Sequence, residues 1–154
     1  MFLFASISVA QTPTNFSGKW AFDKSKSNPG EGGSFLDVDE ILVITQDSAS
    51  ISLEKTLKRK DSEDIISTDK YNLNGKETIE KSDMGTTKKV TKWSDNKQIL
   101  TITTIMAFIS SVTTNEYRVD DSYKLTDNGK TLIIQSISKN PTGERTIIQV
   151  YNKK

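Results

Sequence analysis

Apolar and polar side chains alternate along almost the whole chain after residue 15. The first such segment has its larger or apolar positions at every second residue: Phe16, Gly18, Trp20 and Phe22. A period of two is typical of a β-strand that buries one face. The pattern recurs in short segments and predicts further strands at 40–46, 50–58, 64–73, 76–81, 86–93, 98–108, 115–125, 130–138 and 144–152.

Turn-forming residues separate these segments. Asn74-Gly75 is the strongest hairpin signal and predicts that strand 76–81 pairs back onto strand 64–73. Residues 25–37 contain Pro29 and three glycines, which predicts a flexible loop rather than a helix. Short connections throughout favour an antiparallel up-and-down meander of about 8–10 strands. Closing the meander into a barrel, with the first strand beside the last, satisfies the backbone groups of both edges.

Length and composition narrow the class of protein. The 154 residues suit one domain, and 21 basic against 20 acidic residues give a net charge of +1. This balance removes the main driving force for nucleic-acid binding. The chain has no Cys and no His, which excludes disulfides, the usual zinc sites and the common nucleophile–base pairs. We expect neither an enzyme nor a bound cofactor.

Acidic side chains offer few candidate sites. Asp120 and Asp121 are strand neighbours that point to opposite faces, so we interpret them as a solvated rim rather than a catalytic pair. Asp37, Asp39 and Glu40 match no EF-hand spacing. The sequence therefore predicts no metal site.

The first ten residues, MFLFASISVA, predict a complete or shortened signal peptide, with small residues Ser8 and Ala10 before a cleavage point; the alternative is a buried first strand. Residues 11–15 then form a loose N-terminus, and 16–154 form the domain. Elsewhere no apolar run is long enough for a membrane-spanning helix. We expect a monomeric protein that is secreted or periplasmic.

Both ends of the domain resemble a known family. NFSGKW at 15–20 resembles the N/F-x-G-x-W opening of the calycins, which include lipocalins and fatty-acid-binding proteins. QVYNKK at 149–154 is similar to the V-Y-x-K ending of fatty-acid-binding proteins. Over residues 15–154 the chain resembles the small exported lipocalin-like domains of bacteria, which begin FSGxWxxDxxKS. The resemblance implies a lipocalin-like β-barrel.

The resemblance also implies roles for individual residues. Trp20 would plug one end of the barrel, and Gly18 would let a neighbouring strand or side chain come close. Lipocalins often stack an arginine on this tryptophan, and Arg118 and Arg145 are the candidates. Where fatty-acid-binding proteins carry R-x-Y, this chain reads QVY at 149–151. Gln149 has no charge to offset a buried carboxylate, which argues against a fatty-acid ligand.

Polar side chains on the inward face indicate where a ligand would lie. The candidate ligand-binding residues are Phe22, Lys55, Tyr71, Trp93, Tyr117, Tyr123 and Gln149, with Thr101 and Thr103 as further inward-facing groups. Small barrels can also fill with side chains. Two functions follow: a carrier of a small hydrophobic molecule, or a filled-barrel envelope or interaction protein that acts through its loops or outer face, such as the apolar segment at 106–109.

Overall fold

The computed structural model describes residues 11–37, 39–109 and 114–154. Within them, ten strands are present: β1 (Gly18–Phe22), β2 (Glu40–Gln46), β3 (Ser50–Leu57), β4 (Ile65–Asn72), β5 (Thr78–Ser82), β6 (Gly85–Trp93), β7 (Ile99–Ile109), β8 (Thr114–Thr126), β9 (Thr131–Asn140) and β10 (Gly143–Lys153). The helical segments of this part of the chain are two 3-10 turns, Lys24–Lys26 and Asp127–Gly129, and no helix there is long and apolar enough to cross a membrane. The predicted signal peptide, residues 1–10, lies outside the described residues.

One antiparallel sheet contains all ten strands in the order β4-β3-β2-β1-β10-β9-β8-β7-β6-β5. The first and last strands are paired, with Trp20 opposite Lys153 and Phe22 opposite Tyr151. The predicted all-β meander, rolled up so that its first and last strands meet, is confirmed. The predicted strand bounds differ from the observed ones by one or two residues at most, because the alternation of side chains continues to the turns.

The sheet has two free ends, β4 and β5, which follow each other in the chain. These strands share no hydrogen-bonded ladder although both are fully described, so the predicted hairpin at Asn74-Gly75 is wrong. A two-residue hairpin turn of this type needs positive φ at both residues. Gly75 has φ +71°, but Asn74 does not have positive φ, and its side chain instead accepts a hydrogen bond from the Lys76 N–H at 2.9 Å. We call the gap between β4 and the β5–β6 pair the seam.

Side chains bridge the seam. The Thr91 hydroxyl of β6 donates a hydrogen bond to the carbonyl of Asn72 at 2.6 Å. Further along, Lys89 Nζ lies 3.9 Å from the Asp69 carboxylate and 5.7 Å from the centre of the Tyr71 ring. The barrel is therefore completed here by side-chain contacts rather than by a backbone ladder.

The hydrophobic core fills one end of the barrel, which we call the closed end, where β2–β3 and β6–β7 turn. Phe16 and Trp20 are fully buried there, and the indole N–H of Trp20 donates to the Phe16 carbonyl at 3.1 Å. The Phe16 ring stacks on Trp93 and meets Tyr123 edge-on, with centroid distances of 6.0 and 6.2 Å. The opposite, open end is formed by residues 23–37 and by the turns β3–β4, β5–β6 and β9–β10.

Lys153, rather than an arginine, lies over Trp20. Its Nζ is 5.4 Å from the ring, as the direct pairing of Trp20 with Lys153 requires. Gly18 has φ +153°, and an added Cβ would lie 3.3 Å from the Lys153 side chain. Neither candidate arginine stacks on Trp20: Arg118 forms an ion pair with Asp120, and Arg145 donates a hydrogen bond to the Pro29 carbonyl.

The glycine-rich loop is fastened to β10. Strand β10 is longer than β1, and Asn28 forms an isolated bridge with Ile148, with a 2.8 Å hydrogen bond in each direction. The Ser27 hydroxyl accepts a further bond from the Val150 N–H at 2.8 Å. The loop thereby covers the part of the β10 edge that β1 leaves free. This cover protects the edge of β10 from pairing with another chain.

Candidate functional site

A cavity of about 330 Å³ lies in the middle of the barrel. Six strands line it through Leu42, Leu53, Lys55, Ser67, Asp69, Tyr71, Val119, Asp121, Tyr123, Ile134, Ser136 and Gln149. Leu42, Leu53, Tyr123 and Ile134 belong to the buried core and form an apolar floor. The volume lies within the range of small-molecule sites, roughly 300–1,000 Å³. The barrel is therefore not completely filled by its own side chains.

Strand register brings the polar lining together. Asp121 on β8 lies opposite Ser136 on β9, while Lys55 on β3 lies opposite Ser67 on β4. Directly paired residues of an antiparallel sheet point to the same face, so each pair projects into the cavity. The wall of the cavity above the apolar floor is thus polar and charged, on both of these facing pairs of strands.

Asp121 is the least compensated charge on this wall. The Ser136 hydroxyl donates a hydrogen bond to its carboxylate. Across the described part of the chain, no lysine or arginine comes within ion-pair distance of Asp121. Burial raises the pKa of Asp121, and the Ser136 hydrogen bond and the charge of Lys55 oppose that rise. The site therefore holds a carboxylate whose charge is incompletely balanced.

Lys55 is already paired at the open end of the cavity. Its Nζ lies 3.2 Å from the Glu40 carboxylate, which also accepts a 2.5 Å hydrogen bond from the Tyr151 hydroxyl. Glu40 is well shielded, with 12% of its side chain exposed. Burial and the nearby Glu40 raise the pKa of Tyr151, so the phenol remains a donor. Glu40 consequently neutralises most of the positive charge that Lys55 presents to the cavity.

Two tyrosines present hydroxyl groups to the same space. Tyr123 is only 5% exposed and lines the cavity, yet its hydroxyl makes no hydrogen bond to another described residue. Tyr71 lies across the cavity, on β4. Burial raises the pKa of both phenols, so they stay neutral and able to donate at ordinary pH. A hydroxyl that faces the cavity without a protein partner is a ready contact for a polar group of a ligand.

Four of the predicted ligand-binding residues come together in the cavity: Lys55, Tyr71, Tyr123 and Gln149. The other three lie elsewhere. Phe22 packs against Phe35 and Tyr151 beside the open end, with ring centroids 5.0 and 5.5 Å apart. Trp93 stacks on Phe16 at the closed end. Tyr117 points inward by register but lies on β8 beyond the cavity, towards the open end.

Thr101 and Thr103 face outward, contrary to the prediction. Their partners across β7 and β8 are Ser122 and Asp120, and both threonines form hydrogen bonds with them. The inward residues of β7 are instead the even-numbered ones, such as Ile102. Because β7 has apolar residues on both faces, its sequence does not show which alternate positions point inward. This explains the error.

Several cavity residues were missed from the sequence: Asp121, Asp69, Ser67 and Ser136. Asp120 and Asp121 do point to opposite faces, but only Asp120 lies on the outer face, where Arg118 binds it through two 2.8 Å hydrogen bonds. Asp121 has the same parity as Tyr123, and Asp69 the same parity as Tyr71. The alternation of side chains along β8 and β4 would therefore have identified Asp121 and Asp69 as inward-facing.

The open end carries exposed apolar side chains. Phe108 on β7 is 46% exposed, and Ile66 and Met84 are exposed on neighbouring segments. Phe108 belongs to the apolar segment predicted at 106–109, whereas the side chain of Ile109 lies outside the described residues. The entrance to the cavity therefore has an apolar rim.

No protein-family model matches the chain, and no curated protein matches it. Among solved structures, the chain is similar to zebrafish ileal bile acid-binding protein complexed with cholic acid. The TM-score is 0.56 at 16% sequence identity, over 90% of this chain and 98% of the zebrafish chain. At this identity the likeness concerns the fold, which it places with the calycin-like barrels, as the two end motifs implied.

Proposed function

We propose that this protein is a monomeric carrier, rather than an enzyme, that holds one small hydrophobic molecule inside its barrel. The observation that carries the proposal is the cavity of about 330 Å³, with an apolar floor and a polar wall. Such a combination buries the apolar part of a ligand and fixes its orientation through a few polar contacts. The zebrafish bile acid-binding protein complexed with cholic acid supports it, since a chain of similar fold binds a small amphiphile.

Titration with N-phenyl-1-naphthylamine, a neutral apolar fluorophore, tests the proposal. We expect one probe per chain with a dissociation constant of about 1 µM. Val119→Trp places an indole in the cavity and should weaken binding at least tenfold. Lys124→Trp is the matched control, since Lys124 is exposed on the same strand and faces outward.

Two results would count against carriage. Folded wild-type protein that fails to enhance the fluorescence lacks an accessible apolar site. Equal binding by the Val119→Trp variant, shown to be folded by circular dichroism, would place the probe outside the barrel.

We also propose that the carrier works outside the cytoplasm, in the periplasm or the surrounding medium of a bacterium. The apolar segment at 1–10, ending in Ser8 and Ala10, supports this. Expression in a secreting bacterial host, followed by mass measurement of the periplasmic protein, tests it. We expect a mature chain that begins at Gln11, and an uncleaved cytoplasmic chain would contradict export.

The alternative function, contact with another macromolecule through the loops or the outer face, has one observation in its favour, the Phe108 side chain exposed at the open end. The cavity favours carriage, because a filled barrel would leave no such space. Phe108→Ser tests this alternative: loss of a specific partner from a periplasmic pull-down would support it, and an unchanged pull-down profile would count against it.

A further inference from the structure

The charges around the cavity are unevenly balanced. Lys55 is paired with Glu40, and Lys89 at the seam is shared between Glu80 at 3.3 Å and Asp69 at 3.9 Å. Each of these inward-facing lysines is therefore paired with at least one carboxylate. Asp121 has Ser136 as a hydrogen-bond donor but no cation at ion-pair distance in the described part of the chain. The cavity thus carries an excess of negative charge.

Two further observations point in the same direction. Tyr123, 5% exposed and adjacent to Asp121 on the inward face of β8, has a hydroxyl without a partner among the described residues. Tyr71 presents a second phenol from the facing strand. Aromatic rings and phenol oxygens both attract a cationic head group that also donates hydrogen bonds. Gln149 adds an amide group to the cavity lining.

We propose, building on the carrier function, that the cavity selects amphiphiles with a cationic head group, such as alkylammonium ions, and that Asp121 is the residue that receives that group. A buried carboxylate is costly when unpaired, and a bound ammonium ion offsets that cost. An anionic head group would meet Asp121 and Asp69, with the positive charge of Lys55 already taken by Glu40. The preferred ligand is therefore opposite in charge to the cholic acid held by the zebrafish protein.

Three ligands with the same ten-carbon chain separate charge from apolar contact: decylammonium, decanol and decanoate. Their affinities are measured at pH 7 by displacement of N-phenyl-1-naphthylamine, below micelle-forming concentrations. We expect decylammonium to bind at least tenfold more tightly than decanoate, with decanol between them. Asp121→Asn should remove most of this difference and leave decanol unchanged, while Asp121→Glu should retain the preference.

Asp120→Asn is the matched control, because Asp120 is the adjacent residue on the outer face and should not alter any of the three affinities. Decanoate binding as tightly as decylammonium to the wild-type protein would overturn the inference, and this comparison does not depend on any variant folding. A preference that persists in Asp121→Asn would overturn the role of that residue. If the probe binds but none of the three ligands displaces it, the inference fails and the carrier function stands, whereas failure of the probe itself to bind contradicts the carrier function.

Discussion

Lys89 and Tyr71 meet across the seam, with the ammonium nitrogen 5.7 Å from the centre of the aromatic ring. They belong to β6 and β4, which are not joined by a backbone ladder. Together with the Thr91–Asn72 hydrogen bond, this contact completes the barrel wall. Tyr71 also lines the cavity, so the same side chain serves the wall and the site.

Removing the Lys89 charge should loosen the seam. Lys89→Gln loses a contact with the Tyr71 ring and two partly exposed ion pairs, and we expect the free energy of unfolding to fall by about 1 kcal/mol. Urea denaturation measures the loss, and hydrogen exchange should show faster amide exchange along β4 and β5. Lys88→Gln, on the outer face and more exposed, is the control and should change stability by less than about 0.5 kcal/mol. Equal effects of the two variants would show that the seam contact contributes nothing.

The closed end should be sensitive to Trp20. Trp20→Phe removes buried volume and the hydrogen bond to the Phe16 carbonyl, and we expect a loss of about 2–3 kcal/mol. Trp93→Phe retains an aromatic ring at a partly exposed position and should lose about 1 kcal/mol or less. Urea unfolding of both variants tests this order, and a larger loss for Trp93→Phe would contradict it.

Replacement of Asp121 and of Asp120 by asparagine should change the free energy of unfolding in opposite directions at pH 7. Burial raises the pKa of Asp121 in the folded state, so its ionisation costs stability at neutral pH, and the cost disappears as pH falls through that raised pKa. Asp121→Asn should therefore be more stable than wild type at pH 7, with the difference vanishing in acid.

The hydrogen bonds from Arg118 lower the pKa of Asp120, whose stabilising contribution is present at neutral pH and is lost as pH falls through the lowered folded-state value. Asp120→Asn should be less stable than wild type at pH 7, again with the difference closing in acid. Urea denaturation from pH 7 to pH 3 measures both trends. Two variants shifted in the same direction at pH 7 would contradict the assignment of one carboxylate to each face.

Glu40 should control the effective charge of Lys55. Glu40→Gln leaves the Lys55 ammonium without its carboxylate, so we expect decanoate to bind about tenfold more tightly and decylammonium more weakly. Displacement titrations with the decyl ligands measure this change. Glu54→Gln is the control, since Glu54 is exposed on the outer face of the same strand as Lys55, and its ligand affinities should match those of wild type.

Side-chain alternation carried most of the information about the fold. It placed every strand within one or two residues and led to the pairing of the first strand with the last. It did not reveal the seam, because Asn74-Gly75 favours a hairpin locally. The separation of β4 from β5 depends on distant partners such as Thr91, which contacts the end of β4.

The sequence predicts which side chains of a strand point into the barrel, but it does not predict how far along the barrel each of them lies. Tyr117 and Tyr123 have the same parity on β8, yet they are separated by six residues, or roughly 20 Å of extended strand. Only Tyr123 reaches the cavity, because the core lies at its end of the barrel. Which end closes is decided by packing of Phe16 and Trp20 against several strands, and alternation within one strand does not contain that information.

Asp120 and Asp121 have identical side chains, yet one is held by Arg118 on the outside of the barrel and the other faces the interior. Sliding β8 by a single residue against β7 and β9 would exchange them: the arginine and its acid would turn inward, and the inner carboxylate would face solvent. The charge of the cavity lining is thus determined by strand register rather than by composition. A homologue with the same amino acids shifted by one position would lose the inner carboxylate that has no cation partner, and with it the proposed preference for a cationic ligand.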